Sequence, residues 1–381
     1  MPSSQPELYI GLMSGTSMDG IDAALVDFSQ TAITGAQPKL IQAHSQPWPD
    51  DIQQALIAAR DIPDNELSSL ASLDTQTAKI FSDACLKLLA NTSRQAQDII
   101  AIGNHGQTIR HRPDIENPFS LQIGNAQKIS EQTGIDVISD FRTADIKAGG
   151  QGAPLAPAFH QAVFRHNEIN RVIVNIGGIA NITVLPKDQN QPVTGFDCGP
   201  GNTLMDAWIS LHKQRSYDAN GELASSGKTD ARLLANLLMD AYFQLTPPKS
   251  TGFEYFNLEW LNKHLDNKKT QATACSDVQS TLCDLTATSI IRAINQYAAD
   301  ANEIYICGGG AHNRELMRRL QTLTRCPVTT TEALGVHPDW VEAMAFAWLA
   351  YQNVHHQTGN LPSVTGANKS VVLGKLTEHV N

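Results

Sequence analysis

The segment Gly15-Thr16-Ser17-Met18-Asp19-Gly20, continued by Ile21 and Asp22, gathers glycines and hydroxyls in one short turn. Glycines let backbone N–H groups come close to an anion, and hydroxyls add donors, which is the chemistry of a phosphate cradle. It is not a Walker A loop, because no Gly-Lys-Ser/Thr follows. Taken alone, the composition fits an ordinary hairpin turn equally well. Two further small-residue turns, Gly177-Gly178 after Asn175-Ile176 and Gly308-Gly309-Gly310 after Cys307, also leave apolar runs. Three such turns at the ends of buried strands point jointly to a nucleotide.

Between the second and third turns lies Gly195-Phe196-Asp197-Cys198-Gly199-Pro200-Gly201-Asn202. An acid among glycines and a proline sits on a rigid, sharply turned loop that substrate can approach closely. Phosphoryl transfer is largely positioning and charge neutralisation, yet an acceptor hydroxyl or water still needs a base. Asp197 is the candidate, and its alternative role is to cap a helix over 202–211. Two polar clusters end strands, where open sheets bind ligands: His105 with Gln107, and Asp140-Phe141-Arg142. His105 suits positioning better than proton transfer. Glu342 stands inside the apolar run Trp340 to Trp348. It either occupies the wet face of that helix or answers a polar partner.

These residues need a scaffold. Leu8–Met13 and 23–28 read as a strand pair around the first turn, and 171–176 with 180–185 as a second pair around Gly177-Gly178. Short apolar runs at 99–102, 137–138 and 304–307 read as further strands. Helical periodicity marks 75–90, 228–244, 279–298, 313–324 and 339–354. Such alternation predicts an α/β architecture with mixed sheets covered by helices. A chain of 381 residues suits two domains sharing a cleft. The expected division is 1–128, rejoined by 345–381, against 129–344. The glycine- and proline-rich stretch 146–157 reads as an active-site loop or hinge near their junction.

The net charge of −10 argues against nucleic acid or an anionic membrane as main partner. It does not argue against ATP, whose phosphates backbone groups and a magnesium ion can hold. No stretch approaches the ~18 apolar residues of a membrane span. Met1–Glu7 has no signal-peptide pattern. Six cysteines without a C-x-x-C pair predict neither a disulfide framework nor structural zinc, so the cytoplasm is the expected location.

As a set, the motifs resemble the anhydro-N-acetylmuramic acid kinase family. They are Tyr9 to Asp22, Gly103 to Thr108, Asp140 to Arg142 with Gly149 to Pro154, Asn175 to Asn181, Asp197 to Asn202, Lys249-Ser-Thr-Gly252 and Leu361 to Gly366. The resemblance runs nearly the whole chain in order. It implies the actin/hexokinase/Hsp70 superfamily, with two ribonuclease-H-like domains (the actin-like ATPase fold) flanking a nucleotide cleft. It also implies a reaction: water opens 1,6-anhydro-N-acetylmuramic acid at the anomeric carbon, and the freed 6-oxygen takes the γ-phosphate of ATP. The product is N-acetylmuramic acid 6-phosphate, formed in peptidoglycan recycling. Further implied are Asp197 as base, Arg142 and Glu342 as sugar contacts, 15–22 as the ATP phosphate segment, Mg2+ as companion of ATP, and a homodimer. The superfamily's acid at the end of the first strand is missing, since Met13-Ser14 stands there. Asp19, Asp22 or Asp197 would have to help hold the metal.

Three rivals stand beside this reading: glycoside hydrolysis by Asp197 and Glu342 as paired carboxylates, an actin-like scaffold gated by nucleotide, and a kinase of another sugar or small acid.

Overall fold

The computed structural model describes residues 6–15, 17–34, 37–265 and 274–380. Thr16 of the first turn lies outside the described residues. The chain divides into two compact units, 1–163 with 340–381, and 164–339. The sequence-based boundaries fell at 128 and 344. The segment after 128 instead packs in the first unit, because its strand Val137–Ser139 pairs in parallel with Ile99–Asn104.

The strands, in chain order, are β1 (Leu8–Met13), β2 (Gly20–Asp27), β3 (Lys39–Pro47), β4 (Ile99–Asn104), β5 (Gln107–Arg112), β6 (Phe119–Ile123) and β7 (Val137–Ser139). The remainder are β8 (Arg171–Ile176), β9 (Ile179–Leu185), β10 (Thr194–Pro200), β11 (Glu303–Cys307), β12 (Val328–Thr330) and β13 (Lys375–Thr377). The first unit orders its main sheet β13-β7-β4-β1-β2-β3, and the second β10-β9-β8-β11-β12. In both, a meander of three antiparallel strands continues into two parallel ones: β3-β2-β1-β4-β7 repeats as β10-β9-β8-β11-β12. That repeat is the ribonuclease-H-like α/β arrangement expected for each domain, so the doubled strand–turn–strand pattern marks a true structural duplication.

In the first unit, helix Val341–Val354 lies directly on the sheet. Gly11 and Gly103 stand in register on β1 and β4. A Cβ on Gly11 would fall 1.8 Å from the Ala343 carbonyl oxygen, and one on Gly103 2.1 Å from that of Phe346. The two glycines therefore form a trough for the helix backbone. Because the helix is covered nearly all round, it is apolar on every face, and from Val341 to Tyr351 Glu342 is its half-buried exception. The other face of this sheet packs Leu8, Ile10, Leu12, Ile21, Ala23 and Leu25 against helix Ala71–Ala90.

In the second unit, Val172, Val174 and Ile176 alternate with Ile173 and Asn175 along β8. The first set joins Phe196, Ile304 and Ile306 in a core under helix Cys275–Tyr297. The helix expected over 228–244 is broken into Ala231–Leu237 and the turn Ala241–Gln244. Asp230 caps the first piece, and Asp240 caps the second through the Tyr242 N–H. Asp240 also accepts from Tyr255 Oη at 2.6 Å and Trp260 Nε1 at 2.9 Å, which holds the chain in that break.

Candidate active site

The first turn leaves β1 and returns on β2. Ser14, buried at the end of β1, accepts from Trp48 Nε1 at 3.1 Å. Its hydroxyl lies 2.7 Å from both Gln107 Oε1 and the Gly20 carbonyl oxygen. Gln107 Nε2 donates to the Gly15 carbonyl oxygen at 3.2 Å. Gln107, expected at the substrate, thus spends its carboxamide on closing the turn. Met18 and Ile21 bury their side chains completely, so only their backbone can face a ligand. Ser17 and Asp19 are exposed and joined by a 2.8 Å hydrogen bond, and Asp22 is half-buried.

Next to this turn, the ends of β4 and β7 bring together His105 and Arg142, which the sequence offered as two separate clusters. His105 is buried beside Phe346, ring centroids 4.6 Å apart. Its Nε2 faces Arg142 Nη2 at 2.8 Å, and its Nδ1 faces the Gly106 carbonyl oxygen at 2.8 Å. Arginine can only donate, so Nε2 accepts and the proton sits on Nδ1. Burial and the Arg142 charge push the His105 pKa down to about 3, so the ring stays neutral at physiological pH. A neutral ring accepting at Nε2 helps orient the Arg142 guanidinium. Arg142 Nη1 donates to the Gly152 carbonyl oxygen at 2.7 Å, while its buried Nε has no hydrogen-bond partner among the described residues. Burial lowers the guanidinium to about 10, opposed by the negative charges of Glu342 and Asp145. The structure therefore brings His105, Arg142 and Glu342 together in one polar cluster.

In the second unit the other two glycine turns are neighbours. A Cβ on Gly308 would fall 2.3 Å from Asn175 Oδ1, and one on Gly310 2.4 Å from Ile176 Cγ2. Gly308 also holds φ +77°, a conformation few other residues tolerate. A Cβ on Gly309 would meet nothing within 4 Å among the described residues. Around Gly177 and Gly178, the N–H groups of Gly201, Asn202 and Thr203 donate to the turn's carbonyls at 2.8 to 3.0 Å. Asn202 Nδ2 adds a bond to Gly177 at 3.0 Å. The Gly177 N–H donates in turn to the Ile179 carbonyl oxygen at 3.2 Å, so this turn is tied back on both its donor and acceptor sides.

Asp197 stands on β10 and not on the free loop expected from its glycines. Nor does it cap helix Thr203–Lys213, whose N-cap is Asn202. A register shift between Asp197 and Gly199 bulges the strand and re-aims the carboxylate. Its Oδ2 accepts from the Thr251 N–H at 3.0 Å. Its backbone carbonyl accepts from Tyr242 Oη at 2.7 Å, and its N–H donates to the Lys249 carbonyl oxygen at 3.2 Å. Burial raises the Asp197 pKa to about 7; the Thr251 N–H and Lys249 oppose the rise, and Glu254 adds to it. A carboxyl poised near neutrality is what a general base at physiological pH requires. Lys249 Nζ lies 4.8 Å from the Tyr242 ring centroid, a cation–π contact that holds its motif beside Asp197.

Sequence patterns missed Asp145, which is fully buried and accepts from the Gly152 N–H at 2.7 Å, Asn360 Nδ2 at 2.6 Å and Thr365 Oγ1 at 2.7 Å. Its signal was an acid beside the glycine-rich stretch, three residues after Arg142. Among the described residues, no three His, Cys, Asp or Glu side chains cluster to hold a metal ion, and no helix is long and apolar enough to cross a membrane.

The model of the anhydro-N-acetylmuramic acid kinase family matches residues 7–379. A kinase of that name from Coxiella burnetii strain RSA 493 is 47% identical over 371 residues, 97% of each chain. One from Shewanella oneidensis is 51% identical over 369 residues, 96% of this chain and 97% of its own. Among solved structures, component A of the (R)-2-hydroxyglutaryl-CoA dehydratase of Acidaminococcus fermentans aligns with a TM-score of 0.48 at 9% identity, covering 92% of this chain and 99% of its own.

Proposed function

The chain belongs to the anhydro-N-acetylmuramic acid kinase family, and from that premise we propose that it couples hydrolytic opening of 1,6-anhydro-N-acetylmuramic acid to phosphorylation by ATP. Asp197 takes a proton from water as the water oxygen bonds to the anomeric carbon. The bond from that carbon to the bridging 6-oxygen breaks, and the 6-oxygen attacks the γ-phosphorus. ADP leaves, and N-acetylmuramic acid 6-phosphate remains. The observation that carries this reading is the Asp197 carboxyl, held near pH 7 with Oδ2 tied to the Thr251 N–H and no hydrogen bond on Oδ1 among the described residues.

The remaining residues have roles that follow from their surroundings. The glycine turns at 15–20, 177–178 and 308–310 line the triphosphate, with the Gly177 and Gly308 N–H groups already donated to the Ile179 and Pro338 carbonyl oxygens. Arg142 and Glu342 hold the sugar, with His105 fixing the arginine. Mg2+ would take most of its ligands from phosphate and water, which suits a chain in which no three His, Cys, Asp or Glu side chains cluster among the described residues. Asp19 and Asp22 are the carboxylates beside the first turn that fit this use, and the ion would neutralise charge on the transferred phosphoryl group.

Mass spectrometry of the products formed from ATP, magnesium and the anhydro sugar in heavy-oxygen water tests the reading. The heavy atom is expected on the anomeric oxygen of a phosphorylated sugar. Label in phosphate, or opening of the sugar without ATP, would overturn it, and the latter would favour a glycoside hydrolase.

A further inference from the structure

Arg142 reaches its posture through contacts whose far end lies in the carboxy-terminal segment. Its Nη1 donates to Gly152, and the Gly152 N–H donates to Asp145 Oδ2 at 2.7 Å. The second oxygen of that carboxylate accepts from both Asn360 Nδ2 and Thr365 Oγ1. Asn360 is fixed in turn, because its Oδ1 accepts from the Val371 N–H at 2.7 Å. Two backbone bonds run alongside, Gln151 N–H to Thr365 O and Asn368 N–H to Ala148 O, each 2.8 Å.

A charge buried this deeply is retained only when its hydrogen bonds are satisfied, and here three donors converge on one carboxylate. One donor belongs to the loop that holds Arg142, and two to the motif Leu361 to Gly366 and its flank. We infer that Asp145, anchored by Thr365 and Asn360, is a positioning residue for the sugar-binding arginine, and that the carboxy-terminal segment thereby sets sugar affinity without touching the sugar. The inference rests on the reading of Arg142 as a sugar contact. It explains why a motif without a charged side chain, Leu361 to Gly366, belongs to the motif set at all. Asp145 lies too deep to meet a ligand. Its negative charge also faces the guanidinium, which keeps the loop and the arginine drawn together.

Two variants separate the inference from the reading beneath it. Thr365→Val removes one hydrogen bond to Asp145 at nearly constant volume, and Arg142→Lys removes the forked guanidinium. Steady-state kinetics are measured for both with the anhydro sugar and with ATP, alongside thermal unfolding. Thr365→Val is expected to raise the sugar KM roughly tenfold, with kcat and the ATP KM within about twofold, because a misplaced contact weakens binding of one substrate only. Thr365→Ser, which restores the hydroxyl, should restore the sugar KM. If Thr365→Val does not fold, Asp145→Asn tests the same link, since its amide cannot accept from all three donors. A raised sugar KM in Arg142→Lys but not in Thr365→Val overturns the positioning role and leaves the arginine contact standing. No change in either overturns both. Equal losses for sugar and ATP in Thr365→Val also overturn the inference, because they signal general loosening.

Discussion

Replacing Asp197 by Asn should abolish activity and stabilise the protein over one and the same pH range. Burial lifts the folded carboxyl from its ordinary 3.8 to about 7. The unfolded chain, whose carboxyl ionises near 4, therefore loses its proton first as pH rises. Asp197 contributes its full stability below pH 4, and that contribution is lost progressively up to pH 7. A difference of about three pH units at ~1.4 kcal/mol each sets an upper bound of about 4 kcal/mol. Solvent reaching the half-buried carboxyl lowers that figure. An asparagine keeps the acceptor for the Thr251 N–H and carries no charge, so its stability does not follow this titration. Denaturant unfolding of both proteins from pH 5 to 8 measures the difference, in which other titrating groups cancel. The variant should gain on the native protein as pH rises and level off above pH 7. Turnover of the native enzyme should rise over the same interval, as the base deprotonates, while the variant loses ~100-fold or more. A stability difference that is flat from pH 5 to 8 would refute the raised carboxyl. Near-native turnover by the variant would refute its use as base.

Gly103→Ala should destabilise the protein by roughly 3 kcal/mol or more, because its Cβ would enter the Phe346 carbonyl of the overlying helix; urea unfolding measures it. Gly308→Ala, strained at φ +77° and crowded by Asn175, should weaken nucleotide binding in calorimetry with the sugar KM unchanged. Tyr9 buries its hydroxyl with no hydrogen-bond partner among the described residues, so Tyr9→Phe should raise stability by about 1 kcal/mol and leave kcat as it was.

Those effects sort by how far apart in the chain the responsible residues lie, and so does what the sequence made legible. The duplicated strand–turn–strand units were readable because β1, β2, β8 and β9 bury apolar runs beside glycine turns. Arg142 and His105 were readable as polar groups closing such strands. The third strand of each meander was not. β3 is an edge strand of Lys39, Gln42, His44 and Gln46 around few apolar residues, and its exposure alternates only weakly. β10 was taken for a loop because Gly195, Gly199 and Pro200 are poor strand formers. At a sheet edge Pro200 breaks no ladder, and the bulge at Gly199 re-aims the Asp197 side chain. The features that disguise β10 as a loop thus also equip it for chemistry, which is why the acid was found and its setting was not. Asp145 had no local signal strong enough to find it. Two of its three donors lie 215 and 220 residues further along the chain, so its role exists only once the carboxy-terminal segment has folded back. Local pattern therefore reveals candidate polar groups, and tertiary contacts decide how firmly each of them is held.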